Sequence, residues 1–258
     1  MAAYREFLKK HWQWCVPLFL WLVITPFSSE LDLAVAKTAF YREWAHAPTD
    51  EYGFFSTPFF DFIYLWGVLP AQVISFIAAS TLIASIWYAP AVRFRSVCLV
   101  LSLTLGIGSG VITHFVLKES WGRPRPRQII DFGGNQPFRA YYQPQFKNTP
   151  EPSKSFPSGH STCGFYFFCL YFLGKRLKRK RLAYVGMSTS LLLGTIISLA
   201  RIVQGGHFIS DICISALIMW YTAYILDYLI YQAPITAHFR TRFYSPDDIG
   251  IARTAYQA

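Results

Sequence analysis

Six apolar segments dominate this sequence, and most approach the length an α-helix needs to cross a bilayer, about 20 residues. They run from Trp12 to Phe27, Phe60 to Tyr88, Ser96 to Leu117, Gly159 to Leu173, Leu182 to Ala200 and Phe208 to Tyr231. The fourth is the shortest. No internal repeat or low-complexity linker separates them. The expectation is an all-α fold: one membrane domain over residues 1–258, built as a six-transmembrane-helix bundle.

Composition favours the membrane reading. Charged residues make up 15% of the chain and hydrophobic ones 53%, whereas soluble domains carry about 25% charged residues. A net charge of +10 could suggest a nucleic-acid binder. The largest basic run, Lys175 to Arg181, instead lies between two apolar segments, so no nucleic-acid partner is expected. Cys15, Cys98, Cys163, Cys169 and Cys213 all sit in apolar stretches, form no C-x-x-C pair and read as small buried hydrophobes. The apolar run near the N-terminus leads into Thr25-Pro26-Phe27-Ser28 without a small-x-small cleavage site, so it reads as a retained helix. Residues 1–11 mix aromatic and basic side chains, as an amphipathic stub on the inner membrane surface would; a frayed polar tail is the other reading. Residues 232–258 read as a cytoplasmic tail.

Basic residues orient the chain. With both termini in the cytoplasm, 14 of the 24 Lys and Arg fall on the inner side and 10 on the outer side. Seven of the outer ones lie between Lys118 and Lys154. Such a cluster runs against the usual bias and needs its own reason. Ser28 to Thr57 is left as the first outer loop.

Three short segments supply that reason, each at the outer end of an expected span: Lys118 to Pro126, Ser155 to His160, and Arg201 to Asp211. Lys118, Arg125 and Arg201 bring three cations together with too few acids nearby to balance them, so an anion is expected between them. Arginine suits the planar recognition of phosphate oxygens. Ser158-Gly159 opens a helix, so its backbone N–H groups can point at the same anion. Asp211 follows His207 by four residues, on one helix face. There it can accept an imidazole N–H and leave the other ring nitrogen free to attack. A second histidine, His160, can protonate a leaving oxygen and then activate water. Taken singly, Lys118 is an interfacial anchor, His160 a helix-start polar residue and Asp211 a helix-cap acid. Their collection on one membrane face is what separate anchors do not account for.

The same segments resemble the signature of the type-2 phosphatidic acid phosphatase superfamily in its bacterial membrane branch: K-x6-R-P, then P-S-G-H, then S-R-x5-H-x3-D. Lys118, Arg125 and Pro126 match the first part, Pro157 to His160 the second, and Arg201, His207 and Asp211 the third. The resemblance implies that His207 is a phosphate-accepting nucleophile oriented by Asp211, and that His160 is the general acid and base. It makes Lys118, Arg125, Arg201, Ser158 and Gly159 the phosphate cradle. It further implies a phosphohistidine intermediate, no metal and no other cofactor, in a multi-pass protein of the bacterial inner membrane whose active site faces the periplasm. Ala200 departs from the pattern's serine; the missing hydrogen bond is worth about 1 kcal/mol.

The implied partner is a phosphorylated membrane lipid held in the bilayer. The run Trp121 to Gln128 followed by Phe132-Gly133-Gly134 resembles bacterial relatives that dephosphorylate lipid A, which ranks lipid A first. Undecaprenyl diphosphate, phosphatidylglycerophosphate and phosphatidic acid follow. Arg123 and Arg127 read either as contacts to a second phosphate or sugar, or as turn anchors. Two readings of other classes are a lipid-phosphate-binding protein without catalysis and an anion transporter; the latter calls for mid-span charges and paired half-helices, which the sequence lacks.

Overall fold

The computed structural model describes residues 2–40, 50–146 and 153–231, with side chains from Trp12 onward. Residues 232–258, where the sequence places a cytoplasmic tail, lie outside that description. The described residues form helices and connecting turns, with no β-strand beyond two isolated bridges. Five helical stretches are long and apolar enough to cross a membrane: Trp12–Thr38, Pro58–Ala84, Ala89–Lys118, Lys180–Val203 and Ile209–Tyr231. The molecule is thus a multi-pass helical membrane protein. Its outer surface is apolar in the way lipid requires: Phe76 is 73% and Phe115 78% exposed.

The first stretch joins α1 (Ala2–Ile24) to α2 (Ser28–Thr38) through a 3₁₀ turn at Thr25–Phe27. Pro26 lacks the N–H that an unbroken α-helix would use there. The Thr25 hydroxyl donates to the Trp21 carbonyl and the Ser28 hydroxyl to the Thr25 carbonyl, which holds the turn. The structure therefore turns the first part of the expected outer loop into helix. Its buried face is Ser28, Asp32 and Ala36, the four-residue spacing of a helix stripe.

The second stretch is α3 (Pro58–Trp66) and α4 (Leu69–Ala84), interrupted where Pro70 removes another donor. In the third, α5 (Arg95–Leu103) continues as a π-helix over Thr104–Lys118. Such i→i+5 winding is uncommon and concentrates near functional sites.

The expected fourth span is two short helices, α6 (Gly159–Phe165) and α7 (Phe168–Arg176), meeting at Tyr166-Phe167. Nearly every residue from Gly159 to Phe172 is buried. This segment is the central post of the bundle, and α8 (Lys180–Val203) lies along it. Small residues let the backbones approach closely: a Cβ on Gly164 would stand 2.6 Å from the Gly194 Cα, and one on Gly174 would stand 2.3 Å from the Ala183 nitrogen. Phe168, Phe172 and Trp220 pack edge to face beside it, with Trp220 contributed by α9 (Ile209–Tyr231).

Polar contacts gather at two ends of the bundle. At one, the Arg176 guanidinium pairs with Asp227 at 2.7 Å, and Trp220 donates to the Gln13 carbonyl. At the other, Asp32, Asp61, Ser155 and Asp211 meet groups brought by α8 and α9 and by the segment after the π-helix.

A candidate phosphate site at one end of the bundle

Lys118 ends the π-helix, Arg125 follows it, Arg201 lies in the last turn of α8, His160 in the first turn of α6, and His207 and Asp211 flank the start of α9. Packing brings these six together. Lys118 is within electrostatic range of Arg125, Arg201 and Asp211, and His160 within range of Arg201, Lys118 and Arg125. The Nε of Arg125 and the Nε of Arg201 are both buried without a hydrogen-bond partner. Buried donors normally have partners, so two unsatisfied guanidinium N–H groups beside a lysine form an electropositive pocket suited to an anion. Among the described residues, no three His, Cys, Asp or Glu side chains gather where they could hold a metal ion.

Gly205 and Gly206 shape the approach to His207. Gly205 has φ of +58°, a left-handed conformation that glycine adopts without strain. A Cβ on Gly206 would stand 2.1 Å from the Arg201 Nη2, so a side chain here would push that guanidinium from its present position. The neighbouring Ala200 is fully buried.

His207 is 2% exposed. Its Nδ1 faces the Asp211 Oδ2 at 3.7 Å, just beyond hydrogen-bond length. Burial pushes its pKa from the ordinary 6.5 down to about 3; Asp211 opposes that shift, and Arg201 and Lys118 add to it. The imidazole is therefore neutral at physiological pH and keeps a free nitrogen lone pair. Burial likewise lowers the pKa of Arg125.

Asp211 is held from three sides. Ser155 donates to its Oδ2 at 2.6 Å, the Phe208 N–H donates to the same oxygen at 2.9 Å, and Arg123 pairs with its Oδ1. The Arg123 side chain is fully buried. It also donates to Asp32 at 2.7 Å, to the Ser210 hydroxyl at 2.8 Å and to the Arg139 carbonyl at 2.9 Å. Asp32 in turn accepts from the Ser210 N–H and hydroxyl. Of the two readings the sequence left open, Arg123 is the anchor, with no face turned to a ligand. Arg127 stacks on the Tyr52 ring at 5.1 Å.

Ser158 differs from the expectation. Its N–H donates to the Ser215 hydroxyl at 2.9 Å, because α6 and α9 pack directly, and its own hydroxyl caps Ser161. The backbone donor expected to face an anion at this residue is thus already engaged. The N–H of Gly159 follows it in a first turn, where helices leave donors without intrahelical partners.

Sequence reasoning gave no role to Asp32, Tyr64, Ser155 or His114. Tyr64 stacks on His160 with ring centroids 4.5 Å apart. The His114 Nδ1 lies 2.8 Å from the Ser109 carbonyl, which can only accept, so that nitrogen carries the proton.

Fold and pocket together define a class first: a helical membrane protein with a cation-lined, two-histidine pocket at one end. The chain belongs to the PAP2 superfamily, whose family model matches residues 97–234. It is similar to the lipid A 4'-phosphatase of Francisella tularensis subsp. novicida (strain U112), 29% identical over 143 residues that cover 55% of this chain and 61% of the relative. The lipid A 4'-phosphatase of Rhizobium leguminosarum is 33% identical over 109 residues, 42% of this chain and 44% of the relative. That of Rhizobium etli is 30% identical over 106 residues, 41% and 39% respectively. The chain thus spans less than two thirds of the length of each of these relatives. No solved structure matches it.

Proposed function

We propose that the protein is an integral-membrane phosphatase that hydrolyses a phosphate ester on a bacterial envelope lipid, with lipid A as the favoured substrate. The observation that carries the reading is the pair of unsatisfied, buried guanidinium N–H groups of Arg125 and Arg201 beside neutral His207. Membership of the PAP2 superfamily and the names of three relatives support it.

In this reading Lys118, Arg125, Arg201 and the Gly159 N–H grip the phosphate oxygens, while Ser158 fixes the turn that presents Gly159. The free ring nitrogen of His207 attacks phosphorus, forming an N–P bond as the P–O bond to the lipid breaks. His160, which takes up a proton once the phosphate dianion lies beside it, gives that proton to the departing lipid oxygen. The carboxylate of Asp211 stabilises the positive charge that develops on His207. Water then attacks the phosphohistidine, its proton going to His160. The N–P bond breaks and inorganic phosphate leaves, so ester plus water become alcohol plus phosphate with both histidines restored. No metal or cofactor takes part.

The whole chain acts as one membrane domain with six crossings. The path from Gly159 to Arg176 would rise about 27 Å at 1.5 Å per residue, close to the thickness of the hydrocarbon core. Continuous burial lets it cross without a lipid-facing run of its own. Both termini lie in the cytoplasm and the site faces the periplasm, at headgroup depth in the inner membrane.

The test is a substrate panel with protein in detergent and chelator present. Phosphate release should be fastest from lipid A, ahead of undecaprenyl diphosphate, phosphatidylglycerophosphate and phosphatidic acid. Faster release from any of the other three contradicts the lipid assignment. A strict metal requirement contradicts the chemistry.

A further inference from the structure

The two histidines are oriented by different means. His207 faces a carboxylate that is itself pinned. The His160 ring makes no hydrogen bond among the described residues and instead stacks on Tyr64, with ring centroids 4.5 Å apart and planes 20° from parallel. The same tyrosine ring takes the Arg201 guanidinium, whose central carbon is 4.6 Å from its centroid. Arg201 then donates to the Gln204 side chain at 2.7 Å, and Gln204 donates to Asp61 at 2.9 Å. Asp61 precedes Tyr64 by three residues on α3, so the two side chains share a face of that helix. The circuit closes: Tyr64, Arg201, Gln204, Asp61 and back to Tyr64 along one turn of α3.

We propose that Tyr64 is a positioning residue that sets the proton-donating histidine and the phosphate-gripping arginine in register with each other. The inference rests on the phosphatase reading above and adds to it a residue outside the stretch matched by the superfamily model. The physical basis is the ring itself. An aromatic face attracts a desolvated guanidinium through its quadrupole and offers a flat surface to a second aromatic ring. An aliphatic side chain does neither. His160 then loses the ring it stacks on and Arg201 keeps only its hydrogen bond to Gln204.

The test compares two esters: a lipid phosphate whose alkoxide must be protonated as it leaves, and p-nitrophenyl phosphate, whose leaving group departs without a proton. Tyr64→Leu should lower kcat on the lipid by roughly 100-fold, the scale of a 1 Å misplacement of a catalytic group. On p-nitrophenyl phosphate the loss should be clearly smaller, because His160 has less to do. Tyr64→Phe, which keeps the ring, should restore most of the rate. Tyr64→Met removes the aromatic face in a different shape and serves if the leucine variant is not monodisperse. Equal losses on both esters, or wild-type rates in a folded Leu or Met variant, overturn the role of Tyr64 while leaving the phosphatase reading standing. Wild-type protein inactive on every ester removes both.

Discussion

Replacing Arg123 with methionine tests whether the site rests on a buried ionic hub. The guanidinium is completely enclosed between the carboxylates of Asp32 and Asp211. It also lies over the Phe208 ring at 4.4 Å. Arg123→Met fills most of the volume but removes every donor. Asp32 then retains the Ser210 N–H and hydroxyl, and Asp211 retains Ser155 and the Phe208 N–H, with two carboxylates enclosed and no cation between them. Deleting one partner of a buried pair costs about 3–5 kcal/mol. Each kcal/mol lowers the melting temperature by about 2–4 °C in a domain of 150–250 residues, so the expected drop is on the order of 6–20 °C. Thermal unfolding in detergent, followed by tryptophan fluorescence, reads it directly. Adding Asp32→Asn should recover part of the loss, because one of the stranded carboxylates becomes neutral. A single variant that melts within about 2 °C of wild type, or a double variant that melts far below the single, would refute the hub.

Three further outcomes follow. The folded pKa of His207, about 3, lies below its ordinary 6.5, so between those values the unfolded chain takes up a proton that the native state does not. This contribution to stability is whole above pH 6.5 and is lost as pH falls toward 3; a melting temperature equal at pH 4.5 and 7.5, or a drop that His207→Gln leaves unreduced, contradicts it. Ala200→Ser restores a hydroxyl worth about 1 kcal/mol and should lower KM for the lipid by up to roughly 5-fold; an unchanged KM and kcat removes that expectation. Cysteines introduced by Arg139→Cys and Arg179→Cys should differ in reach: an impermeant thiol reagent added outside labels the first and spares the second, and the reverse pattern inverts the topology.

How much of this was legible in the sequence depends on whether a residue's role was local. His207 and Asp211 are one helical turn apart, and Lys118, Arg125 and Arg201 stood out as cations at the ends of apolar runs. The structure brings them into one pocket. Asp32 and Tyr64 could not be read because nothing local marks them. Asp32 meets Ser210 across most of the chain, and Tyr64 meets His160 through the packing of two helices. Glu30, Asp32 and Lys37 also interrupt the hydropathy of Ser28–Thr38, so the sequence reads as a loop where the structure has a helix that supplies a buried partner for Arg123. The Gly159–Leu173 segment looked short because a helix wrapped by protein on all sides needs small and polar residues for close packing. The engagement of the Ser158 N–H depends on Ser215, 57 residues away, and no pattern in sequence predicts that contact.

In the proposed reaction the imidazole of His207 takes the phosphoryl group from a membrane lipid. Rapid acid-free quenching of a reaction with lipid carrying a radioactive phosphate, followed by peptide mapping, tests it most directly. The expected result is an acid-labile, base-stable label on the peptide that contains His207, and none in a folded His207→Ala protein, which should also have lost turnover. Labelling of a different residue, or steady turnover by the alanine variant, would contradict it.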